Sequence, residues 1–246
     1  MFDLIGRFIE FVGAIVGFFA RSLFVEPGEF IAIIAASPGS SIFEILFVAF
    51  LLLVATMLVI GLARTVVRRS PFPFIHSVEY LSRLFGLIGG WIIVVLIVSM
   101  VYEVISRYFL NAPTQWAFEM AYMLMGTSFM FGIAWCLQMR RHIRVDFVYD
   151  HVRPRYQAII DLVGFFLLMP MLLWLCAGLW DYFHQAYRVD EESGESAWNP
   201  IIWPFKYTFV MGFVLLLMQS VVETVKCVMV LCGREVPEPE PMEGLS

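Results

Sequence analysis

Residues 84–104 read LFGLIGGWIIVVLIVSMVYEV, and their single charged side chain, Glu103, lies next to the end. About 20 consecutive apolar residues in a helix cover the hydrocarbon core of a bilayer, so this stretch predicts a transmembrane helix. The whole chain agrees with it, because 61% of its 246 residues are hydrophobic and only 15% are charged. Soluble domains carry about 25% charged residues. The composition therefore excludes a soluble enzyme, and the unbroken apolar runs argue against an outer-membrane barrel, whose strands alternate.

Five apolar runs are long enough to cross a bilayer. Besides residues 84–104, they cover about residues 42–63, 117–137, 159–179 and 207–231. Residues 2–25 are apolar too, but small and charged side chains recur there every three or four residues, at Asp3, Arg7, Glu10, Ala14, Gly17 and Arg21. This spacing places them on one stripe of a helix. Such an amphipathic helix can lie in the membrane interface or cross against a partner, and we favour the interfacial position.

These runs divide the chain into three predicted regions. Residues 1–77 form an N-terminal extension with the amphipathic helix and one transmembrane span, and residues 78–232 form a four-span core. In residues 233–246 prolines are interleaved with glutamates, which predicts a short disordered, acidic, Pro-rich tail. The predicted fold class is an all-α integral membrane protein: a four-helix transmembrane core plus an extra N-terminal span and an N-terminal amphipathic helix.

The distribution of basic residues predicts the topology. Two short connections are rich in arginine, with Arg64, Arg68, Arg69 and Arg83 in one and Arg140, Arg141, Arg144, Arg153 and Arg155 in the other. Short loops rich in arginine and lysine stay in the cytoplasm. The connections at residues 106–116 and 180–206 are poor in positive charge, so we expect them on the outer side and the C-terminus in the cytoplasm.

Polar groups within the spans are few, and each is a candidate for function because burying it in a bilayer is costly. Glu103 and Arg107 are four residues apart, which predicts an ion pair on one helix face at the interface. Glu119 lies in the first turn of the third span, where the helix dipole favours a carboxylate. Glu223 is deeper, and we expect it to pair with Lys226, with packing against a partner as the alternative.

Catalytic and cofactor motifs are not apparent. The four histidines, His76, His142, His151 and His184, lie in loops or at span ends, whereas a membrane haem subunit needs axial histidines within its spans. We identify no phosphate loop, nucleophile elbow or zinc motif, and the four cysteines form no CxxC pair. We therefore expect no catalytic residue, no metal and no cofactor. The net charge of −5 does not suggest a nucleic-acid partner, and the chain is interpreted as a partner subunit.

One set of motifs stands in a fixed order from the second span onward. It consists of Arg107-Tyr-Phe-Leu-Asn111, Trp116-Ala-Phe-Glu119, Gly132 and Arg141-His142-Ile143-Arg144-Val145-Asp146. The combination resembles the small membrane subunit of tripartite ATP-independent periplasmic (TRAP) transporters, the DctQ-like family. The residues that match in order and spacing are Arg107, Asn111, Trp116, Glu119, His142, Ile143, Val145 and Asp146. The resemblance covers about residues 78–230 and leaves out the N-terminal extension.

The resemblance implies a multi-pass subunit of the bacterial inner membrane without chemistry of its own. In such systems a soluble periplasmic protein binds the substrate, often an organic acid, and a large membrane subunit holds the substrate and sodium sites. The small subunit packs on the static scaffold of the large one and helps to dock the binding protein. The implied partners are thus the large subunit, the binding protein and membrane lipid. Two other classes remain as alternatives, the membrane anchor of a respiratory enzyme complex and an autonomous channel or carrier.

The sequence also predicts an ion pair across the turn between the second and third spans. Pro113 disfavours helix just before it, so the helices on either side of residues 106–116 should return antiparallel and bring Arg107 close to Glu119. Glu103 competes for the same guanidinium, and Glu119 could instead face the binding protein.

Small residues favour close helix contact in lipid, and we expect this at Gly86, Gly89, Gly90, Gly126, Ser128 and Gly132.

Overall fold

The computed structural model describes residue 56, residues 72–139 and residues 153–233. The predicted amphipathic helix and the predicted tail beyond residue 233 lie outside these residues, as does the first predicted span apart from Thr56. His142 and Asp146 also lie outside the described residues.

In the described part of the chain there are four helices. They are α1 (Phe72–Tyr108), α2 (Ala117–Gln138), α3 (Pro154–Arg188) and α4 (Trp203–Leu231). Each is long and apolar enough to cross a membrane. The all-α membrane class and the last four predicted spans are therefore confirmed.

The helices extend beyond the apolar runs that predicted them. α1 begins at Phe72 rather than near residue 84, and α3 continues to Arg188 rather than ending near residue 179. An apolar run marks the part of a helix that lies in hydrocarbon, whereas intrahelical hydrogen bonding continues into the more polar interface. The extra turns of α1 matter for the candidate site, because they carry Glu79 and Ser82 into the bundle.

The helices alternate in direction. α1 and α2 are antiparallel, since Ser128 Oγ donates to the carbonyl oxygen of Gly89 at 3.0 Å and the rings of Tyr102 and Trp116 stack at 5.9 Å. α3 and α4 are also antiparallel, with the rings of Phe183 and Tyr207 5.0 Å apart. The bundle thus has a Phe72 end, where α1 and α3 begin, and a Tyr108 end, where α2 and α4 begin.

α4 is the central helix of the described bundle. Half of its most apolar 18-residue window is buried, against 17–22% for the other three helices. α4 packs against α1, α2 and α3, and α2 also packs against α1. Because α1 and α3 each bury little of their surface, both leave wide apolar faces for lipid or another protein.

Three glycines let the helices approach closely. A Cβ on Gly86 would clash with Cε3 of Trp135, and one on Gly212 would lie 2.7 Å from the carbonyl oxygen of Met130. Gly126 lies similarly close to the ring of Phe205. These contacts join α1 to α2 and α2 to α4.

Five of the six predicted small-residue contacts are confirmed. Gly86, Gly89, Gly126 and Ser128 lie at helix contacts. Gly132 also lies at the contact with α1, because a Cβ on Gly89 would be 3.6 Å from the Gly132 nitrogen. A Cβ on Gly90 would meet nothing within 4 Å among the described residues, so a contact there stays a prediction. A glycine is needed only where the helix turns that position toward a neighbour, and residue type alone does not determine this orientation.

Candidate functional site

A buried ion cluster joins α1 to α4 at the Phe72 end. Lys226 Nζ donates to Glu223 Oε1 at 2.8 Å and also to Glu79 Oε1. The predicted pair of Glu223 and Lys226 is confirmed. Glu79 was missed because hydropathy placed the beginning of the second span after it, and the sequence offers no local sign of a partner on α4.

Two neutral side chains extend this cluster. Gln219 Nε2 donates to Glu223 Oε1 at 3.2 Å, and Gln219 Oε1 accepts from Ser82 Oγ at 3.0 Å. All five side chains are buried. We call Glu79, Ser82, Gln219, Glu223 and Lys226 the polar network. It holds two carboxylates and one ammonium, and the ammonium binds both carboxylates.

The polar network holds α1 against α4. Removing a single partner from a buried ion pair strongly destabilises a protein, because the remaining charge is left uncompensated. Here the charges lie on two helices, so the hydrogen bonds fix the position of α1 along α4. Gln219 uses both ends of its amide, which restrains rotation of α1 against α4 as well.

At the Tyr108 end, Glu103 fastens the turn between α1 and α2. Its Oε1 accepts from Arg107 at 2.9 Å from Nε and 2.5 Å from Nη2. Its Oε2 accepts from the Thr114 amide at 3.1 Å and also from the Thr114 hydroxyl. Arg107 remains about half exposed while Glu103 is almost buried. The predicted ion pair between Glu103 and Arg107 is confirmed.

The expected pair between Arg107 and Glu119 is wrong. The guanidinium of Arg107 is turned toward Glu103, its neighbour one helical turn earlier, where little side-chain rearrangement is required. Glu119 is fully buried, and neither of its carboxylate oxygens has a hydrogen-bond partner among the described residues. Its helix contributes a favourable dipole, because Glu119 lies in the first turn of α2.

Other motif residues shape the same turn. Asn111 has a φ of +50°, in the left-handed region that asparagine tolerates better than most residues. The Ala112 amide donates to the Ser106 carbonyl at 3.0 Å and the Ser106 hydroxyl to the Ala112 carbonyl at 2.5 Å. Trp116 stacks on Tyr102 of α1. Arg107, Asn111, Trp116 and Glu119 thus lie around one turn, but a functional role for them stays a prediction.

The loop between α3 and α4 is folded against the same end. Lys206 Nζ lies 2.6 Å from Glu191 Oε2 and 3.8 Å from the ring centroid of Tyr182. Asn199 Oδ1 accepts from the Gly194 amide at 2.7 Å. The loop therefore has a defined conformation, which its charge pattern alone did not reveal, and it carries several carboxylates.

The chain matches the family model described as "Tripartite ATP-independent periplasmic transporters, DctQ component" over residues 96–229. This range covers more than half of the chain and runs from within α1 to within α4. It includes the turn held by Glu103 but begins after Glu79 and Ser82. No curated protein matches the chain.

Proposed function

Since the chain belongs to the DctQ component family of tripartite ATP-independent periplasmic transporters, we propose that it serves as the transporter's non-catalytic scaffold. In this role it packs on the static part of the large membrane subunit and keeps that part oriented while substrate moves. The complete system would carry out sodium-coupled uptake of a small organic solute, such as an organic acid, delivered by a periplasmic binding protein. Membrane lipid would cover the remaining surface.

The wide apolar surface of α1 and α3 carries this proposal. Trp91 on α1 and Leu167 and Trp174 on α3 each expose about 70% of their surface. Large contiguous apolar surfaces mark contacts with protein or membrane. A substrate pathway would instead need polar side chains facing a water-filled passage, whereas the charged side chains of the polar network bind one another.

The proposed orientation places the Tyr108 end in the periplasm and the C-terminus in the cytoplasm. The arginines in the two predicted cytoplasmic connections support it. In this orientation the acidic loop between α3 and α4 and the turn after α1 would be on the side of the binding protein. A respiratory membrane anchor is not favoured, because the family match is to a transporter component.

The proposed domain division keeps residues 1–77 as an extension, residues 78–232 as the core and residues 233–246 as a tail. α1 begins at Phe72, so this helix would continue from the extension into the core. The family match covers residues 96–229 and therefore lies within the proposed core.

Co-purification tests the scaffold role. The full chain, tagged and expressed with a large subunit of the same transporter family from the same organism, should retain that subunit through affinity and size-exclusion steps. Trp174→Ala and Trp91→Ala test which of the two faces is bound, and Phe118→Ala provides a control on an exposed aromatic of α2. Recovery of this chain without any large subunit, under conditions that keep each protein folded, would contradict the proposal.

A further inference from the structure

One side of α1 is left open by the other described helices along its charge-free part. Residues 84–102 contain no charged side chain. Within them Ile88, Trp91, Val95 and Val98 follow one another at intervals of three and four residues, which places them on one side of the helix. All four are exposed, with Trp91 at 73% and Val98 at 64%. We call these four residues the α1 face.

The first predicted span ends close to the point where α1 begins. That span covers about residues 42–63, and α1 begins at Phe72, so the connection between them is short. Connections of about 2–8 residues join neighbouring, antiparallel helices in bundles. Thr56 is the described residue of this span, and it is helical. The chain therefore favours a position of the first span next to α1, in the opposite direction.

The charge-free stretches of the two helices match in length and in their flanking residues. Residues 45–63 and residues 84–102 contain no charge and are equally long. Each is flanked by an arginine at the end next to the connection and by a glutamate at the other end. As a helix, each measures roughly 28 Å, close to the thickness of a hydrocarbon core. Two such helices cross the same bilayer over their full lengths, so every turn of the first span has a turn of α1 at its own depth.

Thr56 indicates which side of the first span is available for packing. Its side chain is exposed, so a neighbouring helix would lie on the opposite side. A helix turns by about 100° per residue, which places Leu51, Val54 and Leu58 opposite Thr56. All three side chains are large and apolar, and van der Waals packing of such side chains is what associates helices in lipid.

We propose that the first predicted span packs antiparallel on the α1 face, with the side opposite Thr56 turned toward α1. Counted from the flanking arginines, Leu51 is then at the depth of Val95 and Val98. Because the short connection tethers the two helices, their effective concentration is high, which favours this contact over replacement by lipid. The contact is formed within the chain and does not depend on the scaffold role. It leaves the side of α3 that contains Trp174 open for the large subunit or lipid.

Disulfide formation in native membranes tests the proposal on the full chain. The axes of packed helices are about 8–10 Å apart, which brings facing Cα atoms into the range of about 4.4–6.8 Å that a disulfide requires. In a chain whose native cysteines have been replaced, Leu51→Cys is combined with Val95→Cys and, separately, with Val98→Cys. A specific protease site is placed within residues 64–71. After mild oxidation and cleavage, the two fragments should stay joined in most chains of at least one pair until a reductant is added.

Two matched pairs locate the contact. Ala49→Cys lies on the same side of the first span as Thr56, and together with Val98→Cys it should leave the fragments separate in most chains. Trp174→Cys lies on α3, where Trp174 is 72% exposed, and it is at the depth of Leu51 because residues 162–180 are also free of charge. Combined with Leu51→Cys, it should form few disulfides.

Three results would overturn the proposal. In the first, Leu51→Cys forms no disulfide with either α1 position, or forms it as readily with Trp174→Cys. In the second, Ala49→Cys is linked to α1 as often as Leu51→Cys. In the third, oxidation joins two copies of the chain instead of two fragments of one copy, which would show that a second copy covers the α1 face.

Discussion

Replacing Lys226 by methionine tests whether the polar network stabilises the bundle. The substitution keeps a long unbranched side chain but removes the ammonium that binds Glu79 and Glu223. Both carboxylates are buried, so each loses this ammonium in a place that water does not readily reach. Breaking a buried ion pair by removing one partner destabilises proteins by about 3–5 kcal/mol. We expect Lys226→Met to lower the free energy of unfolding by that amount.

Lys206 provides the matched control on the same helix. Its partner Glu191 is 43% exposed in its side chain, so the carboxylate can be hydrated when the ammonium is removed. Exposed ion pairs contribute about 0–1 kcal/mol. The substitution also removes the contact of the ammonium with the Tyr182 ring, and such contacts contribute about 0.5–2 kcal/mol. Lys206→Met should therefore lower the free energy of unfolding by about 1–2 kcal/mol, which is less than Lys226→Met because no buried charge is left without its counter-charge. Equilibrium unfolding in mixed micelles, followed by circular dichroism, measures both variants.

A rescue variant separates lost charge balance from lost packing. Combining Lys226→Met with Glu79→Gln and Glu223→Gln removes all three charges and keeps the side-chain volumes similar. Because a fully neutral replacement of a buried ion cluster can be nearly neutral for stability, this triple variant should recover most of the loss. The reasoning is refuted if Lys226→Met is no less stable than Lys206→Met, or if the triple variant is as unstable as Lys226→Met.

Three further predictions concern the packing, the turn and the topology. Gly86→Leu should lower the free energy of unfolding by about 1–3 kcal/mol through overpacking. Gly90→Leu should not lower it, because a Cβ at this position has open space around it. The same unfolding titration in micelles measures both variants. Because Arg107 and Glu119 are not paired, the double variant Arg107→Glu with Glu119→Arg should assemble with the large subunit no better than the two single variants. Affinity purification measures the yield of the complex. A higher yield for the double variant than for both single variants would show that the two residues are paired. The variant Glu192→Cys is made in a chain whose native cysteines have been replaced. Its thiol should react with a membrane-impermeant thiol reagent on cells with a permeabilised outer membrane. If the thiol reacts only after the inner membrane is lysed, the topology is the reverse of the one proposed.

Local patterns in the sequence predicted the parts of the structure that depend on neighbouring residues. Apolar runs identified four helices because lipid contact requires nearly every side chain in a span to be apolar. The pairs of Glu103 with Arg107 and of Glu223 with Lys226 lie within one helical turn, so their spacing was sufficient. The turn between α1 and α2 was predicted from Pro113.

Contacts between distant residues could not be predicted in this way. Glu79 and Lys226 are 147 positions apart, and Ser82 and Gln219 are 137 positions apart, so their pairing depends on how α1 lies on α4. The proposed contact of Arg107 with Glu119 was wrong because a partner already positioned on the same helix, Glu103, binds the guanidinium. The fold class was thus accessible from composition, whereas the geometry of the buried groups required the packed bundle.

Uptake by reconstituted proteoliposomes tests the scaffold role most directly. Vesicles would contain the large subunit with or without this chain, together with the binding protein loaded with labelled substrate and an inward sodium gradient. We predict rapid uptake only when this chain is present and none when it is the sole membrane protein. Full uptake by the large subunit and the binding protein without this chain would contradict the proposed role.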